Sequence, residues 1–187
     1  MHTLMLVAGD DIDEELLPFS VHTEVDAHEV FLSETDIRRM AEHYGILLAD
    51  VHALASRMRD WEEEDGVVKD GRLARISRRN PKGRVDCYEV GGRWDGFLRL
   101  REPRQLRRFF GLLPAGKTSH VSSARKSEID RETLLAEPPA ALLFRGQWFA
   151  SPIFAEGEAL DIWRQEFSQH FAQIPDETML TVVDVHS

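Results

Sequence analysis

The sequence predicts an α+β fold: a single domain over residues 1–187, built on a mostly antiparallel sheet with helices packed mainly on one side. Three observations carry this expectation. Residues 158–173 place Leu160, Trp163, Phe167 and Phe171 on one helical face, with Ile174 behind them and Pro175 as the stop. From Arg72 to Leu100 the period changes to short β segments, broken at Asn80-Pro81-Lys82-Gly83 and at Gly91-Gly92. Both ends of the chain are apolar strands, Thr3–Ala8 and 178–186, and runs apolar on both faces belong inside a sheet, where the two are expected as neighbours.

The remaining elements follow in order. Gly9-Asp10-Asp11 turns the first strand into a short helix, Ile12–Leu17, ended by Pro18, and residues 21–32 are extended. Ser33 with Asp36 three places on is an N-cap signal for a helix carrying Ile37, Met40, Ala41 and Tyr44 on one face and stopped by Gly45. A second helix is expected from Leu47 to Trp61 on the spacing of Val51, Leu54, Ala55, Met58 and Trp61, and the acidic run Glu62–Asp65 with Gly66 closes the helical part. Residues 103–110 are expected to be helical after Pro103, residues 114–127 to be a loop, and 128–136 to hold one further short helix. Ala140–Phe144 and Gln147–Ile153 form a hairpin about Arg145-Gly146.

Composition limits the function classes. At 42% hydrophobic and 30% charged residues the chain has enough apolar surface for a core, and no apolar run approaches the roughly 18 residues of a membrane span. The start, MHTLMLVAGD, has no basic segment and no small-residue cleavage site, so a buried strand and a cytoplasmic location are expected. Cys87 is the only cysteine, which rules out an internal disulfide, and because tetrahedral thiolate arrangements need at least two cysteines no Cys-based zinc site is expected. Residues 1–66, 67–130 and 131–187 carry formal charges of −13, +9 and −6. A basic middle between acidic ends either recognises an anion or is neutralised by packing against those ends.

The densest group of unusual residues is Tyr88-Glu89-Val90-Gly91-Gly92-Arg93-Trp94-Asp95-Gly96-Phe97. Gly91, Gly92 and Gly96 permit positive φ or close backbone approach, and they bracket an Arg and a Trp, side chains suited to anionic and planar groups. As structure alone the same residues make a tight corner with the Trp in the core and the Arg on a carboxylate. Neither phosphate-loop spacing of glycines is present. Asp184 and His186, two apart on the last strand, share a face, and an Asp beside a His can orient an imidazole for general-base work; a fraying terminal strand would show the same pair. His22, Glu24, Asp26 and His28 alternate along one extended segment, but ligands roughly 6.5–7 Å apart do not share a metal unaided, so a solvated polar face is expected and no metal ligand set is assigned. Cys87 is expected as a buried structural thiol and His170 as a boundary residue. Eight basic residues from Arg99 to Lys126 form a local patch, leaving nucleic acid a possible though unfavoured partner for a chain of pI near 5.3.

Residues Asn80 to Gly96 (NPKGRVDCYEVGGRWDG) resemble the N-P-x-x-x-W-D-W-Y-x-I-G-G-R-W-x-G signature of a family of uncharacterised bacterial and phage proteins. The likeness extends to an apolar first strand with an L-x-P-F element, here Leu16-Leu17-Pro18-Phe19. It also takes in a K-G-D-I-D-like stretch at Lys126–Asp130 and an L-T-V-V-D-x-H ending at Leu180–His186. Val85 and Cys87 stand where that pattern has tryptophans, and the chain is shorter between the first strand and the signature. The resemblance brings no settled activity or cofactor. It implies a shared site made of Tyr88, Gly91, Gly92, Arg93, Trp94, Gly96, Lys126, Asp130, Asp184 and His186.

Residues and resemblance together give two expectations. In the first, a small anionic, nucleotide-like ligand is bound or hydrolysed: Arg93 and Lys126 hold the anion, Trp94 or Tyr88 stacks on a ring, His186 oriented by Asp184 is the base, and Asp130 assists. In the second, the partner is a protein, covered by the acidic N-terminal surface of a non-enzymatic module of the immunity or counter-defence kind.

Overall fold

The computed structural model describes residues 1–105, 117–152 and 155–186, and the fold is α+β with mostly antiparallel sheets. In chain order the elements are β1 (His2–Ala8), α1 (Ile12–Leu16), a 3-10 turn (Leu17–Phe19), β2 (His28–Phe31), α2 (Glu34–Tyr44), α3 (Val51–Ser56), α4 (Met58–Glu62), β3 (Asp65–Lys69), β4 (Arg72–Ser77) and β5 (Cys87–Val90). A 3-10 turn (Gly92–Trp94) leads to β6 (Leu98–Gln105). Then come β7 (Lys117–Val121), β8 (Ser123–Arg125), a 3-10 turn (Lys126–Glu128), α5 (Arg131–Ala136), β9 (Ala141–Phe144), β10 (Gln147–Ala150), α6 (Glu158–Gln173) and β11 (Met179–His186). Residues Met1–Val21 with Lys82–Ser187 form one compact unit and His22–Pro81 a second.

The larger unit is organised by its two apolar strands. β1 and β11 run antiparallel over their whole length, from His2 opposite His186 to Ala8 opposite Leu180. Both are interior, as their patterning predicts, in the order β10-β9-β1-β11-β5, with β8 also on β11. Side-chain alternation sends Leu6, Ala8, Leu180 and Val182 to one face, where Trp163, Phe167 and Phe171 of α6 and Leu134 of α5 cover them. Met5, Val7, Val183 and Val185 go to the other face, beneath Leu16 of α1 and Phe19. The β9–β10 hairpin turns at Arg145 (φ 53°) and Gly146 (φ 67°), two consecutive positive φ angles of the kind that match strand twist.

The smaller unit is a three-stranded antiparallel sheet, β2-β4-β3, with α2, α3 and α4. Ser33 Oγ accepts from the Asp36 N–H at the start of α2, and Gly45 (φ 65°) ends it in the left-handed conformation. Met40, Ala41, Leu54, Met58 and Leu73 form the core of this unit. Here the acidic run is neutralised by packing, because Arg75 of β4 pairs with Glu62 and with Glu64, and Arg79 also reaches Glu64. That outcome matches the pairing alternative for the charge asymmetry.

Several local expectations are corrected. The single sheet is three sheets, and the segments from Arg72 to Leu100 do not form one meander: β4 joins the small sheet, β5 the large one, and β6 pairs with β7. β5 is drawn away from β4 because β11 offers it a long apolar neighbour. The helix expected over 47–61 is two helices meeting at Arg57, whose ψ of −2° interrupts the ladder. Residues 117–125 are strands rather than loop, since β7 takes β6 and β8 takes β11 as partner. Only His28–Phe31 of the extended segment 21–32 is strand. The helix expected over 103–110 falls on β6 up to Gln105 and otherwise lies outside the described residues, as does Ile153 at the end of the second hairpin.

Candidate functional site

The site is assembled on the α6-side face of the large sheet, where β5, β11 and β1 lie side by side. Register puts Cys87, His186 and His2 in one row across these strands and Glu89, Asp184 and Leu4 in the next. Asp184 is a carboxylate between Val183 and Val185 on an interior strand, and its side chain is only 6% exposed. A buried ionised carboxylate requires partners, and it has two hydrogen-bond donors and one ion-pair contact. His2 Nδ1–H donates to Asp184 Oδ1 at 2.8 Å, the Arg93 backbone N–H donates to Oδ2 at 3.3 Å, and the Arg93 guanidinium Nε lies 3.9 Å from Oδ2. Burial pushes the Asp184 carboxyl upward, but the His2 hydrogen bond, the Arg93 N–H and the Arg93 charge outweigh it and hold the carboxyl below the usual carboxylate range.

The glycine corner exists to make this approach. Gly91 (φ 74°) donates its N–H to Val182 O, which pins the end of β5 against β11. Gly92 (φ 48°) packs so closely on the carboxylate that a Cβ there would stand 2.5 Å from Asp184 Cβ. Gly96 (φ 76°) donates its N–H to Ser122 Oγ at 3.0 Å, and that hydroxyl in turn donates to Asp95. The corner thus delivers the Arg93 N–H to the carboxylate while leaving the Arg93 side chain 64% exposed. Trp94 follows in a 3-10 turn and packs partly against the α6-side core.

Beside this group lies a cavity of about 660 Å³. The parallel pairing of β1 with β9 begins at Met5 opposite Ala141, so the first residues of β1 pass beyond β9 and line the cavity instead. Among the described residues His2, Leu4, Arg84, Trp94, Trp148 and Trp163 contribute to its wall. Three indoles with one imidazole and one guanidinium give an apolar, ring-sized space with a polar rim.

Not all the expected residues meet there. Tyr88 stands opposite Val185 in the register, which sends its ring to the other face, against the α1-side core, where its hydroxyl donates to Asp13. That hydrogen bond, then partial burial and the charges of Asp13 and Asp11, push the phenol up to about 12. Lys126 and Asp130 lie beyond the far end of β11, because β8 pairs with Met179–Thr181. Lys126 is 9% exposed, donates its Nζ to Ile174 O, and sits 5.1 Å from the Phe171 ring centre. Asp130 caps α5, accepting from Thr133, and pairs with Arg99 at 3.6 Å. Its carboxyl is held low by the Thr133 hydroxyl first of all. Neither is brought to the Asp184 group.

The imidazole held by Asp184 is that of His2 and not, as expected, that of His186. His186 stands edge-on to His2, with ring centres 5.0 Å apart, and its Nδ1 is 3.6 Å from Asp86 Oδ2. No local motif marks His2; the signal is the apolar strand at each end of the chain, and the antiparallel pairing of the two puts His2 opposite His186. Cys87 is exposed rather than buried, because β5 is the sheet's outer strand there. The basic patch is largely engaged. Arg101 donates to Ile129 O, Arg104 pairs with Glu128, and Arg125 donates to Glu177 O, while Arg107 and Arg108 lie outside the described residues. His170 stacks on Phe149 with ring centres 3.7 Å apart. Among the described residues, no helix is long and apolar enough to cross a membrane.

The chain was compared with family models, with curated proteins and with solved structures, and nothing matched in any of the three.

Proposed function

We propose that this face binds a small anionic ligand carrying a planar ring, nucleotide-like in kind, and that the His2–Asp184 pair acts on it as a general base. The observation that carries the reading is the buried Asp184 carboxylate joined to Arg93 and to His2, whose side chain with Trp94 lines an indole-bearing cavity. A carboxylate on an interior strand is costly, and a fold that needed only a core would have an apolar side chain there. With Nδ1–H committed to Asp184, a neutral His2 presents its Nε2 lone pair as proton acceptor, the tautomer general-base chemistry uses. Arg93, fixed through its backbone and exposed through its guanidinium, is the anion contact. Trp94, on the cavity wall, is the ring contact.

The test is a thermal-shift screen of the full chain against mononucleotides, nucleoside diphosphates, free nucleosides and inorganic phosphate. The reading predicts that ring-bearing phosphates raise Tm more than phosphate or nucleoside alone. Arg93→Ala should abolish that shift while its far-UV circular dichroism stays that of the parent. A screen in which no anion raises Tm, or an Arg93→Ala variant that keeps the shift, would remove the anion site and leave the protein-partner alternative.

A further inference from the structure

Apart from the Asp184 group, the same end of the sheet brings together three different metal-ligating side chains, which the proposed function does not use. The Sγ of Cys87, an imidazole nitrogen of His186 and a carboxylate oxygen of Asp86 all lie within 4.8 Å of one another. Their meeting is a product of register. Cys87 is directly opposite His186 on β5 and β11, so both side chains leave the same face. Asp86 precedes β5 and escapes its alternation. Its N–H donates to His186 O at 2.8 Å, and its carboxylate comes to 3.6 Å from His186 Nδ1.

From this geometry we infer that Asp86, Cys87 and His186 form a mononuclear site for a borderline divalent cation of the zinc class, with three protein ligands and one open position. Ligand atoms on a tetrahedral zinc are about 3.3–3.6 Å apart, given Zn–N and Zn–O near 2.0–2.1 Å and Zn–S near 2.3 Å. The three side chains are exposed or half-buried, which leaves their χ angles free of core packing. The donor set selects the metal. A thiolate and an imidazole favour zinc, cobalt or copper over magnesium and calcium, which take oxygen ligands. Three protein ligands leave a fourth position for water, the arrangement of reactive rather than structural zinc.

A second, independent observation favours this assignment. His2, next in the row, stands edge-on to His186 and is itself fixed by the buried Asp184 carboxylate. A carboxylate–imidazole pair beside a metal site can hold a proton of metal-bound water or orient a neighbouring ligand. The metal site does not depend on the nucleotide reading, since none of its three ligands contacts Asp184 in the register and its test needs no organic ligand.

The experiment is a titration of the reduced full chain with Co²⁺, followed by displacement with Zn²⁺. Because Cys87 is the only cysteine, a thiolate-to-cobalt charge-transfer band in the near ultraviolet reports this site alone among the chain's eight histidines. The expected result is a band that saturates at one ion per chain in a monomer, is lost in Cys87→Ser, and is bleached by Zn²⁺. Affinity should be weakened at least about tenfold in Asp86→Asn and in His186→Ala. His28→Ala, in the other unit, should titrate like the parent. Absence of the band at saturating Co²⁺, one ion per two chains, or parental affinity in both Asp86→Asn and His186→Ala would overturn the site.

Discussion

The two faces of the large sheet use the same three strands for opposite ends. On the α1 side Tyr88, Val183 and Val185 pack into an apolar layer, and the Tyr88 hydroxyl donates to Asp13. On the α6 side His2, Asp184, His186 and Cys87 replace apolar residues at the same end of the same strands, while α6 covers the sheet further along. Residues adjacent in sequence therefore have unrelated roles. Tyr88 and Glu89 are neighbours in the chain and face apart, whereas His2 and Asp184 are 182 positions apart and hydrogen-bonded. Alternation along a strand, not membership of a motif, decides who belongs to a site.

The largest effect expected from breaking this contrast is at Gly92. A side chain there meets Asp184 at 2.5 Å and must hold a positive φ, so Gly92→Ala should destabilise the larger unit by about 2–5 kcal/mol, measured by urea denaturation. Gly146→Ala, with a positive φ but open space around it, should cost about 1–2 kcal/mol. Equal costs would mean that crowding against Asp184 is not what fixes the corner. Next comes Asp184→Ala, which leaves the His2 and Arg93 N–H groups without their acceptor and should cost about 1–3 kcal/mol.

How much of this was legible follows the range of the interactions. α6, the β9–β10 hairpin and the interior position of β1 and β11 rest on periodicity and turn residues, which are local, and they occur where the sequence predicts them. The β3–β4 hairpin carries an equally local signal, Asp70-Gly71 at φ 52° and 72°, which the acidic run before it, itself a helix-closing pattern, obscures. The break at Arg57 has no glycine or proline to announce it. Grouping Lys126 and Asp130 with Asp184 failed for a different reason. A resemblance orders residues along the chain, and only the pairing of β8 with Met179–Thr181 shows that they stand at the far end of β11. Asp184 near Arg93 was legible because two unusual clusters in one small fold had few places to meet.

A smaller effect sharpens the comparison from the α1 side. The Tyr88 phenol is raised to about 12 by Asp13, so its neutral form is favoured in the folded chain. Its contribution to stability is complete below the ordinary tyrosine range near 10 and is lost as pH rises from there through about 12. Ultraviolet titration should show one of the two tyrosines ionising late, and Asp13→Asn should bring it back toward the ordinary range. Late ionisation unchanged in Asp13→Asn would mean that burial, and not the carboxylate, holds the proton.

The most direct test sets Arg93→Ala against Tyr88→Phe in one binding measurement, isothermal titration with the best ring-bearing phosphate from the screen. Loss of a charge-assisted contact of about 1.5–3 kcal/mol should weaken binding by about tenfold or more in Arg93→Ala. Tyr88→Phe, on the opposite face, should bind as the parent does. A Tyr88→Phe variant weakened as much as Arg93→Ala would contradict the account, because Tyr88 is not among the residues that line the cavity and its hydroxyl is engaged by Asp13.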